Sequence, residues 1–565
     1  MFRSPASIML ILILILSSAA SGVTVVDDDG VGDFTKIQDA INASEMGDEI
    51  VVKNGTYPEN LLVDKSVVLR GQGNPVIKGS GLSEPLITIT SENVTLEGFT
   101  FSGGESDSFD SGAVLVLADG SRIMNNTIFG SSGNGLCLRD SGDHLAAGNL
   151  IRDNRYGGIS ALGANNNELF GNRIFSNGKW GINMEECGYN MLVDNDVSEN
   201  YEVGLQLSGT FYANFVSNRI GLNEEDGVYI LGSDNNAFIE NEILDNGLNG
   251  IVLDGAPNNF FLNNVIRGSG EDGVLVVRSS DDCVITGNVI SDNSLNGIGI
   301  YGSYFSTLFL NEIFDNEYNG ISLRDNSSSI VISDNEIRGN RRYGFYLEES
   351  DLNYIEGNDV HANLHGVIMV RTKNSALVDN EIHNNRFGMI FDYDENSVAS
   401  NNKIHNNLDD GIQLKGCLRT TVWENRVNEN GGDGVHIYGS ESLMVSRNEI
   451  GNNSKYGIQV LDKTTQTLFM YNIVHDNGGG GLYIYEGNIN LVTGNIFADN
   501  QNLNARDNGQ INNWLANFYS DYSGEAFGGG VIGSEPHTIQ GRRGAAAIDL
   551  SPVVARSWLE ERGPD

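Results

Sequence analysis

Six of the eight histidines in this 565-residue chain fall between residues 361 and 475, among aromatic and acidic side chains that recur at the same interval. His361, His383 and His405 stand 22 residues apart, each directly after the apolar residue of an Asn-x-Ile/Val triplet. On a chain that coils once per interval they form one outward column with rungs ~4.8 Å apart. Neutral imidazole suits copper or zinc, so one reading of the column is a surface metal site. The other is a ladder of half-polar rings. Ligands on one ion converge at ~2.0 Å, whereas ladder rungs stay parallel.

A second column lies close by. Tyr343, His365 and Phe387 each precede a glycine, and the same position continues as Asp410 and Asp433, with Asp409 alongside. On the strand that follows, Tyr346, Asp392, Lys415, His436 and Tyr438 alternate outward. Flat rings leading into acids suit a polysaccharide or cell-surface glycan, because rings cover apolar sugar faces and carboxylates take hydroxyls. The plain alternative is an ordinary acidic β-surface. Glycoside hydrolysis would ask more, namely two carboxyls about 5–5.5 Å apart for retention or 6.5–9.5 Å for inversion. Asp410 with Asp433, or Asp409 with Asp433, are the candidate pairs, with His436 as a supporting donor. For lyase chemistry the nearby base is Lys415.

What positions these residues is a repeat. The pattern Gly-apolar-x-apolar, a variable stretch, then Asn-x-Ile/Val-x-x-Asn occurs seventeen times from Gly112 to Asn500, at steps of 22 to 24 residues. Such a period means a stacked array. The unit is too short for two helices, and its apolar residues alternate, as in Gly204-Leu205-Gln206-Leu207. Alternation is strand periodicity. Three strands and three turns fill the unit, and stacking gives every backbone group a partner one coil away. The expected fold is an all-β single-stranded parallel β-helix of about 23 residues per coil. Phe215, Phe238 and Phe261 should stack inside it. The first Asn of each triplet should form a hydrogen-bonded column and supply left-handed turns. The two 22-residue steps, Gly344 to Gly366 and Gly366 to Gly388, coincide with the aromatic and histidine columns. Departures from a consistent pattern point to function.

Residues 1–22 read as a secretion signal, with Arg3, an apolar run over 8–16 and small residues at 18–20. That run is too short to span a bilayer, and no later stretch serves as a span. The expected location is outside the cytoplasmic membrane, secreted or at the cell surface. Thirty-four basic against 75 acidic residues leave a net charge of −41, which excludes nucleic acid and anionic lipid as partners and disfavours polyanionic glycans unless calcium or another divalent cation bridges. The four cysteines are expected unpaired, since Cys187 and Cys417 share a column ten coils apart and Cys137 lies in another. Six sequons, at Asn42, Asn54, Asn93, Asn125, Asn326 and Asn452, are candidates for glycosylation. Residues 23–104 hold a cap and irregular coils, with a helix over 33–44 capped by Asp33. Repeats fill 105–500. Residues 501–565, with Trp514, Phe518, Tyr519 and Tyr522, form an aromatic cap.

The helix followed by Gly-Asp-Glu-Ile at 47–50 and Asn-Gly-Thr-Tyr at 54–57 resembles the start of pectin-lyase-like β-helices. The Asn-x-Ile repeats with the tail at 512–524 resemble NosD-type β-helix proteins. That resemblance covers nearly all of the chain beyond the signal. It implies a right-handed coil, as crossover preference also does. It further implies a secreted protein of carbohydrate-binding or sugar-hydrolase type, with copper supply as the role of the family's founders. The family's alternating Asp-Gly tail is absent, because residues 526–531 carry no acid. The resulting expectation is a carbohydrate-interacting surface protein. Its rivals are a polysaccharide hydrolase or lyase, a copper-binding accessory protein and a structural envelope protein.

Overall fold

A computed structural model describes residues 22–79, 84–104, 108–541 and 546–561, so the signal expected over 1–22 lies outside the described residues except for Gly22. The chain winds into a right-handed parallel β-helix of about 21 coils. One coil shows the plan. Strands Leu205–Ser208, Asn214–Val216 and Arg219–Gly221 pair in parallel with Val228–Leu231, Ala237–Ile239 and Glu242–Leu244 of the next coil. First and second strands belong to one continuous sheet, and third strands stack into another.

The columns are physical. Phe215, Phe238 and Phe261 are fully buried, with successive ring centroids 4.4 and 5.1 Å apart. The asparagine column is a buried amide ladder. Asn241 donates its backbone N–H and Nδ2 to Asn264 Oδ1, at 2.9 and 3.0 Å, and Nδ2 also reaches the Phe215 carbonyl at 2.9 Å. One residue type thereby satisfies backbone groups that a turn would leave unpaired. The left-handed turn expected of these asparagines falls one residue earlier, at Asp194, Ser217 and Glu240 (φ 54°, 53° and 55°). The ladder needs its side chain pointing inward, so the neighbouring residue takes the positive φ. The repeat glycine faces inward as well. A Cβ on Gly388 would lie 2.4 Å from the Gly411 carbonyl and 2.6 Å from Ile404 Cγ2.

The N-terminal helix runs Ile37–Ala43 and buries Ile37, Ala40 and Ile41 over the first coils. Asp33 is not its cap, because its carboxylate accepts the Val25 N–H at 2.9 Å. Glu59 does the capping from the next turn of chain, accepting the Ile37 and Gln38 N–H groups at 2.9 and 3.1 Å. Lys65 Nζ donates to the carbonyls of Ile41, Asn42 and Ser44 at the other end. Both helix ends thus receive the charge their free backbone groups favour.

At the C-terminus the coil continues past the point where its sequence pattern stops. Ala505–Asp507, Asn513–Leu515 and Phe518–Tyr519 stack as one more turn. An antiparallel pair, His537–Gln540 with Ala546–Asp549, then closes the end. Fully buried Asp549 ties it down, accepting the Asn517 N–H and Nδ2 at 3.0 Å and the Tyr519 hydroxyl at 3.2 Å. Trp514 and Tyr519 are buried beneath it. All four cysteines are buried and unpaired, and all six sequon asparagines are exposed. No helix among the described residues is long and apolar enough to cross a membrane.

Candidate functional site

The outward face of the first strands carries the candidate residues in three columns, one before each repeat glycine and the others two and four places after it. From Asp226 to Asn319 the first column is a polar ladder, whereas the three coils before it carry Gly157, Trp180 and Val203 there. Asn249 donates its N–H and Nδ2 to Asp226 Oδ1 at 2.9 Å, and Asn296 does the same to Asp272 Oδ1 at 2.7 and 2.8 Å. Asn319 Nδ2 reaches Asn296 Oδ1 at 2.8 Å.

The two shortened steps break this ladder. There the first strand lengthens from four residues to six, as in Tyr343–Glu348, His365–Val370 and Phe387–Asp392, and takes the residue before the glycine into the sheet. Tyr343, His365 and Phe387 become a ring column with centroids 5.3 and 5.2 Å apart. Tyr343 also stacks on Tyr346 at 5.5 Å. Burial, helped by the Arg386 charge, pushes the His365 pKa down to about 4, so this ring is neutral at ordinary pH. Ile368 and Ile390 lie beside it in the second column, an apolar addition legible from the repeat register but missed when charged and aromatic residues alone were followed.

The column then turns acidic, and the acids are not exposed. Asp410, Asp433 and His436 are 4%, 1% and 7% accessible. His436 Nδ1 lies 2.9 Å from Asp410 Oδ2 and 3.3 Å from Asp433 Oδ2. Asp410 Oδ1 accepts the Asp433 N–H at 2.7 Å, and Asp433 Oδ1 accepts the Tyr456 N–H at 2.8 Å. Burial, reinforced by the like charge of Asp410, raises the Asp433 pKa to about 6. Tyr438 stacks on His436 at 4.1 Å and roofs it. Asp410, Asp433 and His436 are therefore buried although they lie in the outward columns, and the Tyr438 ring of the same strand lies over His436.

Asp409 is turned away, with its carboxylate 3.6 Å from Lys455 Nζ. Lys415 pairs with Asp392 at 3.2 Å and, with Tyr393, Gln413, Gly416, Tyr438, Gly439 and Asp462, lines a hollow of about 500 Å³. Buried polar atoms without a partner gather on this face. One atom each of Ser160, Trp180, Asn319, Ser322, Arg324, His365, Asp392, His436 and Asn508 lies in these columns, against Ser121 and Ser269 elsewhere among the described residues. Such atoms ask for water or a ligand.

His361, His383 and His405 do form a column, with centroids 4.9 and 5.1 Å apart and interplanar angles of 11° and 2°. Their Nε2 atoms face separate carboxylates of the preceding coil, Glu336, Asp359 and Glu381, at 3.6, 3.1 and 3.1 Å. Asn384 and Asn406 engage Nδ1 of His383 and His405. The rings stack in parallel, so their nitrogens do not converge on one point.

Residues 41–226 match the family of periplasmic copper-binding proteins (NosD), and residues 212–331 and 319–470 match the right-handed β-helix region. The chain is a right-handed β-helix protein, and about its first third is similar to the NosD family. A cell surface glycoprotein of Methanothermus fervidus is 37% identical over 124 residues, 21% of this chain and 20% of that protein. A probable pectinesterase/pectinesterase inhibitor of Arabidopsis thaliana is 30% identical over 136 residues, 23% of this chain and 24% of that protein. The aligned stretches thus span only a fifth to a quarter of these curated relatives. Among solved structures, a complex of XylC with xylose aligns with 54% of this chain and 86% of its own at 11% identity and TM-score 0.44. The A-module of a mannuronan C-5 epimerase from Azotobacter vinelandii aligns with 81% and 92% at 14% identity and TM-score 0.31.

Proposed function

We propose that this chain is a secreted, surface-associated protein that holds a polysaccharide along the outward face of its first strands, between Tyr343 and Tyr438. The observation that carries the reading is the replacement of the Asp/Asn ladder by the Tyr343–His365–Phe387 ring column. A ladder that satisfies itself needs no partner. Rings set in its place give up those hydrogen bonds for a flat, partly apolar strip, which is what a pyranose face covers. Three unpartnered polar atoms in this stretch, on His365, Asp392 and His436, are suited to sugar hydroxyls. The name of the Methanothermus relative supports a cell-surface location.

Hydrolysis on the same face is the second reading, favoured by the raised pKa of Asp433 beside Asp410, since unlike carboxyls divide acid and base roles. It requires the Tyr438 roof to move. As for the copper of the family description, the stacked imidazoles do not converge and each thiol is buried apart from the others, so these residues do not form a copper-binding set. The test is retention of the chain on immobilised neutral and acidic polysaccharides, with and without calcium, read together with new reducing ends. Retention lost in Phe387→Ala supports the groove, and new ends lost in Asp410→Asn support hydrolysis. Retention that is unchanged in Phe387→Ala refutes the ring strip.

A further inference from the structure

We infer that Asp410, Asp433 and His436 form a binding site for a single divalent cation of the zinc or manganese class, separate from the histidine stack and independent of the glycan reading. Their donor atoms lie within 4.8 Å of one another. Ligands at ~2.0–2.2 Å from one ion stand roughly 3.0–3.5 Å apart. The 2.9 and 3.3 Å separations of His436 Nδ1 from the two Oδ2 atoms already match that edge length.

The carboxylates are held for the purpose. Each gives its Oδ1 to a backbone N–H of the next coil, which leaves both Oδ2 atoms aimed at the imidazole. Anchoring of this kind sets ligand orientation in metal sites. Two buried carboxylates that share one imidazole carry an electrostatic cost that a bound cation offsets. Lys455, the nearby ammonium, is paired with Asp409 instead.

The imidazole supplies an independent sign. His436 is 7% accessible, points Nδ1 between the carboxylates and leaves Nε2 buried without a partner. No bond on its far side fixes the tautomer, so the proton can move to Nε2, and a cation then takes the place of the Nδ1–H···Oδ2 bonds between the ring and the two carboxylates. Two oxygens and one nitrogen suit zinc or manganese, while copper(I) prefers sulfur donors.

The repeat itself provides safe variants. Asn occupies the first column at 249, 296 and 319, and Gln occupies the second at 206, 413 and 459. Asp410→Asn and His436→Gln therefore restore residues this fold already carries there, with Asp433→Asn as the replacement if either loses its strand signal in circular dichroism. The experiment titrates zinc chloride into the chelator-treated full chain and measures retained metal. The expected result is one zinc per chain, not displaced by equimolar calcium, with affinity at least about tenfold lower in each variant and unchanged in His383→Ala. The site is overturned if the wild type retains no zinc, if calcium displaces it, or if the variants bind zinc as the wild type does.

Discussion

One column of this solenoid is written in two ways. From Asp226 to Asn319 the residues before the glycines bond to one another and close the face. From Tyr343 to Asp433 the same position carries three rings and then two acids, and the bonding between rungs stops or turns toward backbone and imidazole. Core and amide ladder are common to both stretches, and the first strand differs by taking in the residue before the glycine, so the contrast falls on the outward side chains and the strand that carries them. Self-satisfied rungs stabilise the coil. Rungs that leave capacity unmet offer it to something else.

The strongest way to break the comparison is to write the first stretch into the second. Tyr343→Asn, His365→Asn and Phe387→Asn together should leave the circular dichroism spectrum unchanged and lower polysaccharide affinity by roughly 100-fold, the sum of three ring contacts. Retained affinity would mean the rings are structural.

The acidic rungs of the regular stretch sharpen it next. Burial, with the like charge of Glu271 adding, raises the Asp272 pKa from 3.8 to about 6. Between those values the folded state binds the proton more readily than the unfolded chain, so stability falls as pH rises from about 4 to about 6 and is flat outside that window. Asp272→Asn keeps the acceptor for Asn296 and should remove this slope, with a gain at pH 7 of up to about 3 kcal/mol. Denaturant midpoints across that range measure it.

A smaller loss is expected where a rung is deleted. Asn249→Ala leaves the Asp272 N–H without its acceptor and should cost about 2 kcal/mol, with no change in glycan retention. The least effect belongs to the histidine stack. Its rings are partly exposed and paired with single carboxylates, so His383→Ala should change the unfolding free energy by less than about 1 kcal/mol, read from denaturant titration.

Periodicity explains how much was legible. A fixed step reveals which residues share a column, so the Phe215–Phe261 stack, the Asn126–Asn495 ladder and the histidine column followed from the chain alone. It does not reveal φ, and the left-handed residue was placed on the ladder asparagine rather than one before it. Nor does it reveal partners from another turn, which is why Asp33 looked like the helix cap and Glu59 holds that place. The acid cluster failed in a third way. Alternation says outward, but accessibility depends on neighbouring side chains, and the Tyr438 ring two residues on in the same strand lies over His436.

The ladder also governs how such a chain is made. Its bonds join residues 22 to 24 positions apart in a sequence of 565. Parallel sheets usually fold slowly because distant segments must meet before any contact rewards them. Here each coil docks on the one just completed, and the entropy of closing a loop is the same at every step. With Glu59 and Lys65 sealing the helix, residues 22–65 offer a capped first coil on which later coils can be added in turn. Growth by addition, rather than collapse, is the folding mode this architecture permits.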